Sequence, residues 1–435
     1  MFALRPLTIE TLKRGNRQGK FMANRTKGQN QSGYRWVIVT AVAGILAIAM
    51  GQIVNGLSVF FIPLENAFGW PRAEIALINS AGLAGLAIGG MIMGSLADRF
   101  PIRNIALFGG GALGICVILA SQANALWQLY VLFFLAGAFG GGSLFAPLIA
   151  LVGNWFRAGA GLAIGIASAG QAVGQGGVPF GSAFLIQAFG WSGALAALGI
   201  ISLAVLLPLA MLIKDPPPQP VGASGATNEE PVPLSIGTVK FWMCIAVLGC
   251  CTCMSVPLMH LVPLIQGNGI AAPDAGGVLF VMLIVAILGR VAFGKLADMI
   301  GAIPAYMTAS LWQTLLVFPF TQIHSLEMFY IYAAIFGFGY AGVMTGVLTT
   351  TRALTTPSNR SGATGMILGF AFIGHALGGY QGGLFFDLTG NYTISFANAA
   401  AAGVLNLVIV GTLFLTIRRR RAVAVETTRL AARSG

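Results

Sequence analysis

Arg290 sits inside the apolar run VLFVMLIVAILGRVAFGKLA, residues 278–297, and no other basic residue lies so deep in an apolar stretch of this chain. No Asp or Glu lies deep in another such stretch to pair with it. A charged side chain at the centre of a bilayer costs roughly 2.5–3.5 kcal/mol even on the lenient insertion scale, so an unpaired one marks a functional site by default. The expected partner is the cargo, and the expected cargo is an anion. Two blander roles stay open from the residues alone: the side chain reaches the headgroups, or it bonds a neighbouring carbonyl.

His375, which follows Gly374 and precedes Gly378 and Gly379, is the second candidate. Its imidazole can gain charge as pH falls and so meet a second acidic or polar group of the cargo, or it can be a hydrogen-bonded packing residue. Gln171 and Asn55 are the neutral residues expected to share this substrate site. Gln52, Gln313, Thr345 and Thr349 can line a cavity or satisfy kinked backbone. His260 is expected to close the external side.

These residues need a scaffold, and composition supplies its class. With 57% hydrophobic residues, 8% charged and a mean hydropathy of +0.84 over 435 residues, the chain cannot keep a soluble surface wet. Stretches of about 20 apolar residues, the length that crosses a hydrocarbon core, occur at 36–62, 75–97, 103–122, 126–152, 161–187, 192–213, 240–264, 276–297, 302–321, 328–350, 362–386 and 393–417. The expected fold is an all-α polytopic membrane protein of twelve transmembrane helices in two pseudo-symmetric six-helix bundles.

The net charge of +12 is explained by its distribution. With both termini cytoplasmic, 22 of the 24 Lys and Arg fall in tails or cytoplasmic loops, leaving Arg72 external and Arg290 in the membrane. That pattern points to a lipid bilayer, not to nucleic acid, and the Arg418–Arg421 run reads as an anchor against anionic lipid. Residues 1–34 lack the apolar core of a cleaved secretory signal, and Met22 is an alternative start. The five cysteines all lie in spans without the His or acidic neighbours of a metal site, and they read as packing residues.

The expected segments are a cytoplasmic tail at 1–35, a bundle at 36–213, a Pro- and Gly-containing linker at 214–239, a bundle at 240–417 and a basic tail at 418–435. The halves repeat. Gly94, Leu96, Ala97 and Asp98 recur 200 residues later as Gly294, Leu296, Ala297 and Asp298. Gly161, Gly165, Gly170 and Gly174 recur with a shift of 204 as Gly365, Gly369, Gly374 and Gly378, which makes Gln171 the mate of His375. Parallel repeats imply two halves that rock about a shared site.

GSLADRFPIRN, residues 94–104, resembles the loop signature between the second and third helices of the major facilitator superfamily, through Gly94, Leu96, Asp98, Arg99 and Arg103. Pro101 and Ile102 replace the usual Gly and Arg. The resemblance implies a gating role for Asp98, Arg99 and Arg103, with Asp298 as the repeat of Asp98. The chemistry is plausible on its own terms, since a carboxylate at a helix end can latch that side in one state.

Within that superfamily, NWFRAGAGLAIGIASAG at 154–170, HLVPLIQGNGI at 260–270, LGRVAFGKLAD at 288–298 and FFDLTGNYTISF at 385–396 resemble the monocarboxylate transporter and oxalate/formate exchanger branch. The resemblance implies that Arg290 is the substrate-carboxylate ligand. It also places Arg157 in the loop entering the fifth span, with Ala160 departing from the usual basic pair. Asn55 stands where animal monocarboxylate carriers place a Lys, and Ala286 where they place an Asp, so their proton-coupled mechanism is not implied.

The expected function is secondary transport of a small organic anion, a mono- or dicarboxylate, in a bacterial inner membrane. The coupled species, a proton, sodium or a counter-anion, stays open. The alternative is a carrier of the same fold for an aromatic or neutral solute. No P-loop, nucleophile cluster or metal cluster appears, so neither an enzyme nor a cofactor is expected.

Overall fold

The computed structural model describes residues 33–70, 72–156, 158–216 and 234–434. Most of the expected N-terminal tail, including Met22, lies outside them, as do Arg157 and residues 217–233 of the linker. Among the described residues the chain is helical and contains no strand. The reason is the solvent: hydrocarbon offers no hydrogen-bond partner, so every backbone group within it must be satisfied internally.

Among the described residues ten helices are long and apolar enough to cross a membrane; one of them holds two crossings, and a shorter helix, Ala302–Val317 with the 3-10 turn after it, makes the twelfth. α1 (Gly33–Asn55) ends in a π turn and passes through a 3-10 turn, Gly56–Phe60, into a short helix, Phe61–Phe68. α2 (Arg72–Ala97), α3 (Ile102–Ala120) and α4 (Leu126–Trp155) follow. One 52-residue helix, Ala160–Met211, contains two crossings, because Gly190 at φ 68° reverses the chain where only glycine adopts that backbone cheaply. We number its halves α5 (160–189) and α6 (191–211).

The second half repeats the plan with α7 (Ile236–Gly267), α8 (Ala272–Ile300), α9 (Ala302–Val317), α10 (Leu326–Leu354), α11 (Arg360–Thr389) and α12 (Thr393–Ser434). The 3-10 turn Phe318–Gln322 completes α9, whose α-helical part alone is too short to cross. One difference from the expected spans is at the end, where α12 runs through Arg418–Arg421 to Ser434 without a break at residue 417. The stretch RAVAVETTRLAARS contains no Gly or Pro to stop it.

Within each half, polar side chains tie helices together. Gln52 of α1 donates to Ser202 of α6 at 2.6 Å and to the Leu198 carbonyl at 3.4 Å. In the second half Gln313 of α9 donates to the Cys250 carbonyl at 3.1 Å, and Tyr306 reaches Asn406 of α12 at 2.9 Å, which in turn bonds Ser310. Thr345 and Thr349 spend their hydroxyls on carbonyls of α10 itself. These groups therefore act as interhelical or intrahelical glue.

Between the halves the main packing is α2 on α11 and α5 on α8. With an even number of crossings, residue 33, residues 214–216 and 234–236, and residue 434 share one face, the tail face. Near it the helices touch backbone to backbone: a Cβ on Gly165 would lie 2.6 Å from the Arg290 carbonyl, and one on Gly94 would lie 2.7 Å from that of Ser361. Farther along α5, a Cβ on Gly176, Gly177 or Gly181 meets nothing within 4 Å. The two halves are pressed together near the tail face, and no such close backbone contact is made at these three glycines.

This contrast predicts opposite responses to one kind of change. Gly165→Val should lower the melting temperature in detergent, corresponding to about 1–3 kcal/mol of overpacking. Gly177→Ala should be neutral or stabilising by up to about 1 kcal/mol, since it only improves helix propensity. Equal melting temperatures for the two variants would contradict the packing described.

Candidate functional site

α8 carries Arg290 eight residues before Asp298, about 12 Å along the helix from the tail face at 1.5 Å per residue. The side chain is buried at 6% exposure and crosses to the other half of the molecule. There Nη1 donates to the Ser168 carbonyl at 3.1 Å and to Oε1 of Gln171 at 3.3 Å, both on α5. Nε is buried and meets no acceptor. Two neutral oxygens, one of them a carbonyl, thus solvate one end of the guanidinium. They leave its charge in place, and no carboxylate among the described residues accepts from it.

Tyr340 of α10 lies within electrostatic reach of Arg290 and is itself buried. Sequence reading missed it, because GFGYAG in a glycine-rich helix looks like packing. Only its polar hydroxyl at the depth of Arg290 could have signalled it.

Gln171 therefore does join Arg290, from the facing half. Asn55 does not reach them: its amide donates to the Gln175 carbonyl at 3.3 Å, where the π turn of α1 brings α1 against α5. His375 is half-buried on α11. At 100° per residue it lies roughly opposite the exposed Ile373, Leu377 and Leu384, and so faces away from the lipid side of α11. His260 Nε2 pairs with the Gly379 carbonyl at 2.9 Å, and its ring lies 5.4 Å from that of Tyr392. That is a tie between α7 and α11 inside one half.

The tail face is closed by helix ends. Asp98, just beyond α2, accepts from the backbone N–H of Ser361 at 3.0 Å and of Gly362 at 2.8 Å, in the first turn of α11. Asp298 of α8 accepts from Gly161 at 2.8 Å and Leu162 at 2.9 Å, in the first turn of α5. Each carboxylate thus satisfies orphan donors at the positive end of a helix from the other half. Burial raises the pKa of Asp98, against the Ser361 and Gly362 bonds and the charge of Lys240, which lower it.

Both pairs of partners differ by 200, so the 204 shift inferred from glycines is one helical turn out. A ladder of glycines four apart maps onto itself when moved by four, and the hydrogen bonds break that degeneracy. In the corrected register His375 answers to Gln175, not to Gln171.

Arg99 and Arg103 are exposed and make no side-chain hydrogen bond among the described residues. Two arginines that the sequence reading left unassigned close the tail face instead. Arg352, in the last turn of α10, donates to the Gly153 carbonyl at 2.9 Å and the Phe156 carbonyl at 2.7 Å, at the end of α4. Arg360 bonds Asn154 of α4 and also donates to the Thr355 carbonyl at 2.8 Å.

Replacing Asp98 and Asp298 together by Ala should loosen the tail face, since each removes a cap of about 1 kcal/mol. Spin labels on the tail-face ends of α2 and α11 should show a longer distance distribution in the double variant, while carboxylate affinity stays within a fewfold. An unchanged distribution would remove the latch role.

Similarity to known proteins agrees with this architecture. The family model described as Major Facilitator Superfamily matches residues 40–311 and 241–433. The chain is 26% identical over 388 residues to Monocarboxylate transporter 13 of Rattus norvegicus, covering 87% of this chain and 89% of that protein. It is 26% identical over 376 residues to the uncharacterized MFS-type transporter YcxA of Bacillus subtilis, covering 81% and 89%. Among solved structures, the E. coli fucose:proton symporter FucP superposes with a TM-score of 0.67 at 15% identity, over 87% of this chain and 98% of that one. The human organic anion transporter MFSD10 gives 0.66 at 13%, over 86% and 99%. Two six-helix halves, a buried cation between them and carboxylate-to-helix-end contacts repeated at an interval of 200 are thus joined by a family match across most of the sequence: the chain belongs to the major facilitator superfamily and is an integral membrane transporter, not an enzyme.

Proposed function

We propose that this protein is a secondary carrier of small organic anions, mono- or dicarboxylates, working by alternating access with Arg290 as the carboxylate ligand. The observation that carries the reading is Arg290 itself: buried between the halves, with its charge answered only by neutral oxygens and its Nε by nothing. A carboxylate supplies the missing charge and two parallel acceptors, the geometry a guanidinium fork matches. Relatives named as monocarboxylate transporters, 26–28% identical over most of their length, support the same class.

In this reading the tail face is cytoplasmic, as the bias of Lys and Arg toward tails and tail-side loops supports, and the membrane is a bacterial inner membrane. The segments 36–213 and 240–417 are the two moving bodies, joined by 214–239. Substrate enters from the opposite face, meets Arg290, and leaves after the Asp98, Asp298, Arg352 and Arg360 contacts break. His375, on the non-lipid side of α11, is the second group that the cargo meets. Ala286 stands one turn before Arg290, so no carboxylate of α8 at that position carries a proton beside the bound anion.

Proteoliposomes test this directly with labelled mono- and dicarboxylates. Arg290→Ala should reduce uptake by about two orders of magnitude or more, the range for truncating one partner of a buried charge pair. Arg290→Lys should remain at least roughly tenfold impaired because a point charge cannot grip both oxygens. Uptake by the Ala variant at the wild-type rate would overturn the site. Failure of simple carboxylates to compete with a transported aromatic or neutral solute would favour that other cargo.

A further inference from the structure

The way Arg290 is held specifies which of its edges meets the cargo. A guanidinium has five N–H donors in a fixed plane, and Nη1 here spends its hydrogens on the Ser168 carbonyl and on Gln171 Oε1. Both acceptors belong to α5, so the end of the side chain is pinned to the facing half of the molecule. Nε is on the other edge, the one it shares with Nη2. Nε is buried, and neither of Arg290's two bonds to the protein uses that edge.

The acceptor that orients the arginine is a neutral amide. A carboxylate at the same place would hold Nη1 better but cancel the charge that a bound anion needs. Gln171 is itself buried at 7% exposure, and its only bond in the structure is the one its oxygen accepts, so its Nε2 donors are not used on protein.

We infer that Gln171 is a positioning and specificity-determining residue of the anion site: it fixes Nη1 without neutralising it, so that a carboxylate binds side-on to the Nε and Nη2 edge. The inference rests on the proposed anion-carrier function and adds to it the edge used and the requirement for neutrality at position 171. It also distinguishes a role in binding from a role in packing. If Gln171 only packs or tethers the two halves, Glu should serve as well or better, because it keeps the accepting oxygen and adds charge attraction to Arg290. If it must stay neutral, Glu becomes an internal competitor for the cargo.

The test uses purified full-length wild type and the variants Gln171→Glu, Gln171→Leu and Gln171→Asn. Thermal shift and uptake are measured with sodium acetate, propionate, lactate and succinate, with acetamide as the uncharged control. In wild type, at least one carboxylate should raise the melting temperature and acetamide should not. Gln171→Glu should melt at or above the wild-type temperature without ligand, yet lose about tenfold to a hundredfold in carboxylate affinity, the scale of a charge-assisted hydrogen-bonded contact. Gln171→Leu should raise KM roughly tenfold with kcat within a fewfold, and Gln171→Asn should restore part of that loss.

A pH series adds a signature that packing cannot mimic. The charged group facing residue 171 is Arg290 from α8, which Tyr340 of α10 approaches in turn, while α1 presents Ala43 and Ala47 to the neighbouring turns of α5. An introduced Glu beside Arg290 is ionised at neutral pH, so carboxylate binding by Gln171→Glu should recover relative to wild type as pH falls into the carboxylate range. Wild-type affinity in Gln171→Glu at neutral pH overturns the inference and leaves the anion-carrier reading standing. No shift by any carboxylate in wild type overturns that reading, and the inference with it.

Discussion

A polar group left unanswered inside hydrocarbon is costly, and much of the architecture follows from how such groups are answered. The backbone answers itself by coiling into helices wherever it crosses. Side-chain N–H donors in the cores of the two halves, such as those of Gln52, Gln313 and Asn406, are answered by a neighbouring helix. Arg290 differs from these in carrying a charge, and the proposed function rests on it. Its hydrogen bonds are partly met while its charge is not, and a group in that condition is stable enough to persist and unsatisfied enough to attract an anion.

That arrangement also places the site between the halves and not inside one of them. Arg290 belongs to α8, and the oxygens that hold it belong to α5. Any rocking of one half against the other must therefore work through this contact. Close approach of α5 and α8 is what makes the contact possible, and the absence of a side chain at Gly165 and Gly294 is what permits that approach. Packing and chemistry are here the same feature, since a bulkier residue at either glycine would move Arg290 away from Ser168 and Gln171.

Much of the fold was legible because the bilayer imposes its length scale on sequence. The twelve apolar runs of about 20 residues fall on the twelve crossings, and even the junction inside the 52-residue helix was readable at Gly190, where the expected gap between 187 and 192 lies. Arg290 was legible from a single property, charge amid apolar neighbours. Its partner Gln171 was chosen through a repeat register that the hydrogen bonds revise, so a correct residue came from an argument one helical turn out. Asn55 and His260 were less legible because a polar residue in a membrane helix has many local carbonyls to bond. Only coordinates show that Asn55 turns to Gln175 and His260 to Gly379. Arg352 and Arg360 sit at helix ends, where arginine is ordinary, and nothing in composition marks them as gate residues.

The gate itself shows why helix ends suit a reversible latch. Asp98 and Asp298 take donors from the starts of α11 and α5, while Arg352 gives donors to the end of α4, so both signs of the helix dipole are used. In each case one partner is backbone and the other a side chain whose charge can return to water when the halves separate. Such caps contribute on the order of 1 kcal/mol each. Several of them can hold the tail face shut without sinking that state so deep that an anion's binding energy could not shift it. Buried ion pairs in the same places would cost several kcal/mol to break once one partner is lost. In the proposed alternating-access cycle the protein passes through both states on every turnover, and weak, repeated contacts to backbone would keep the two close enough in energy for that.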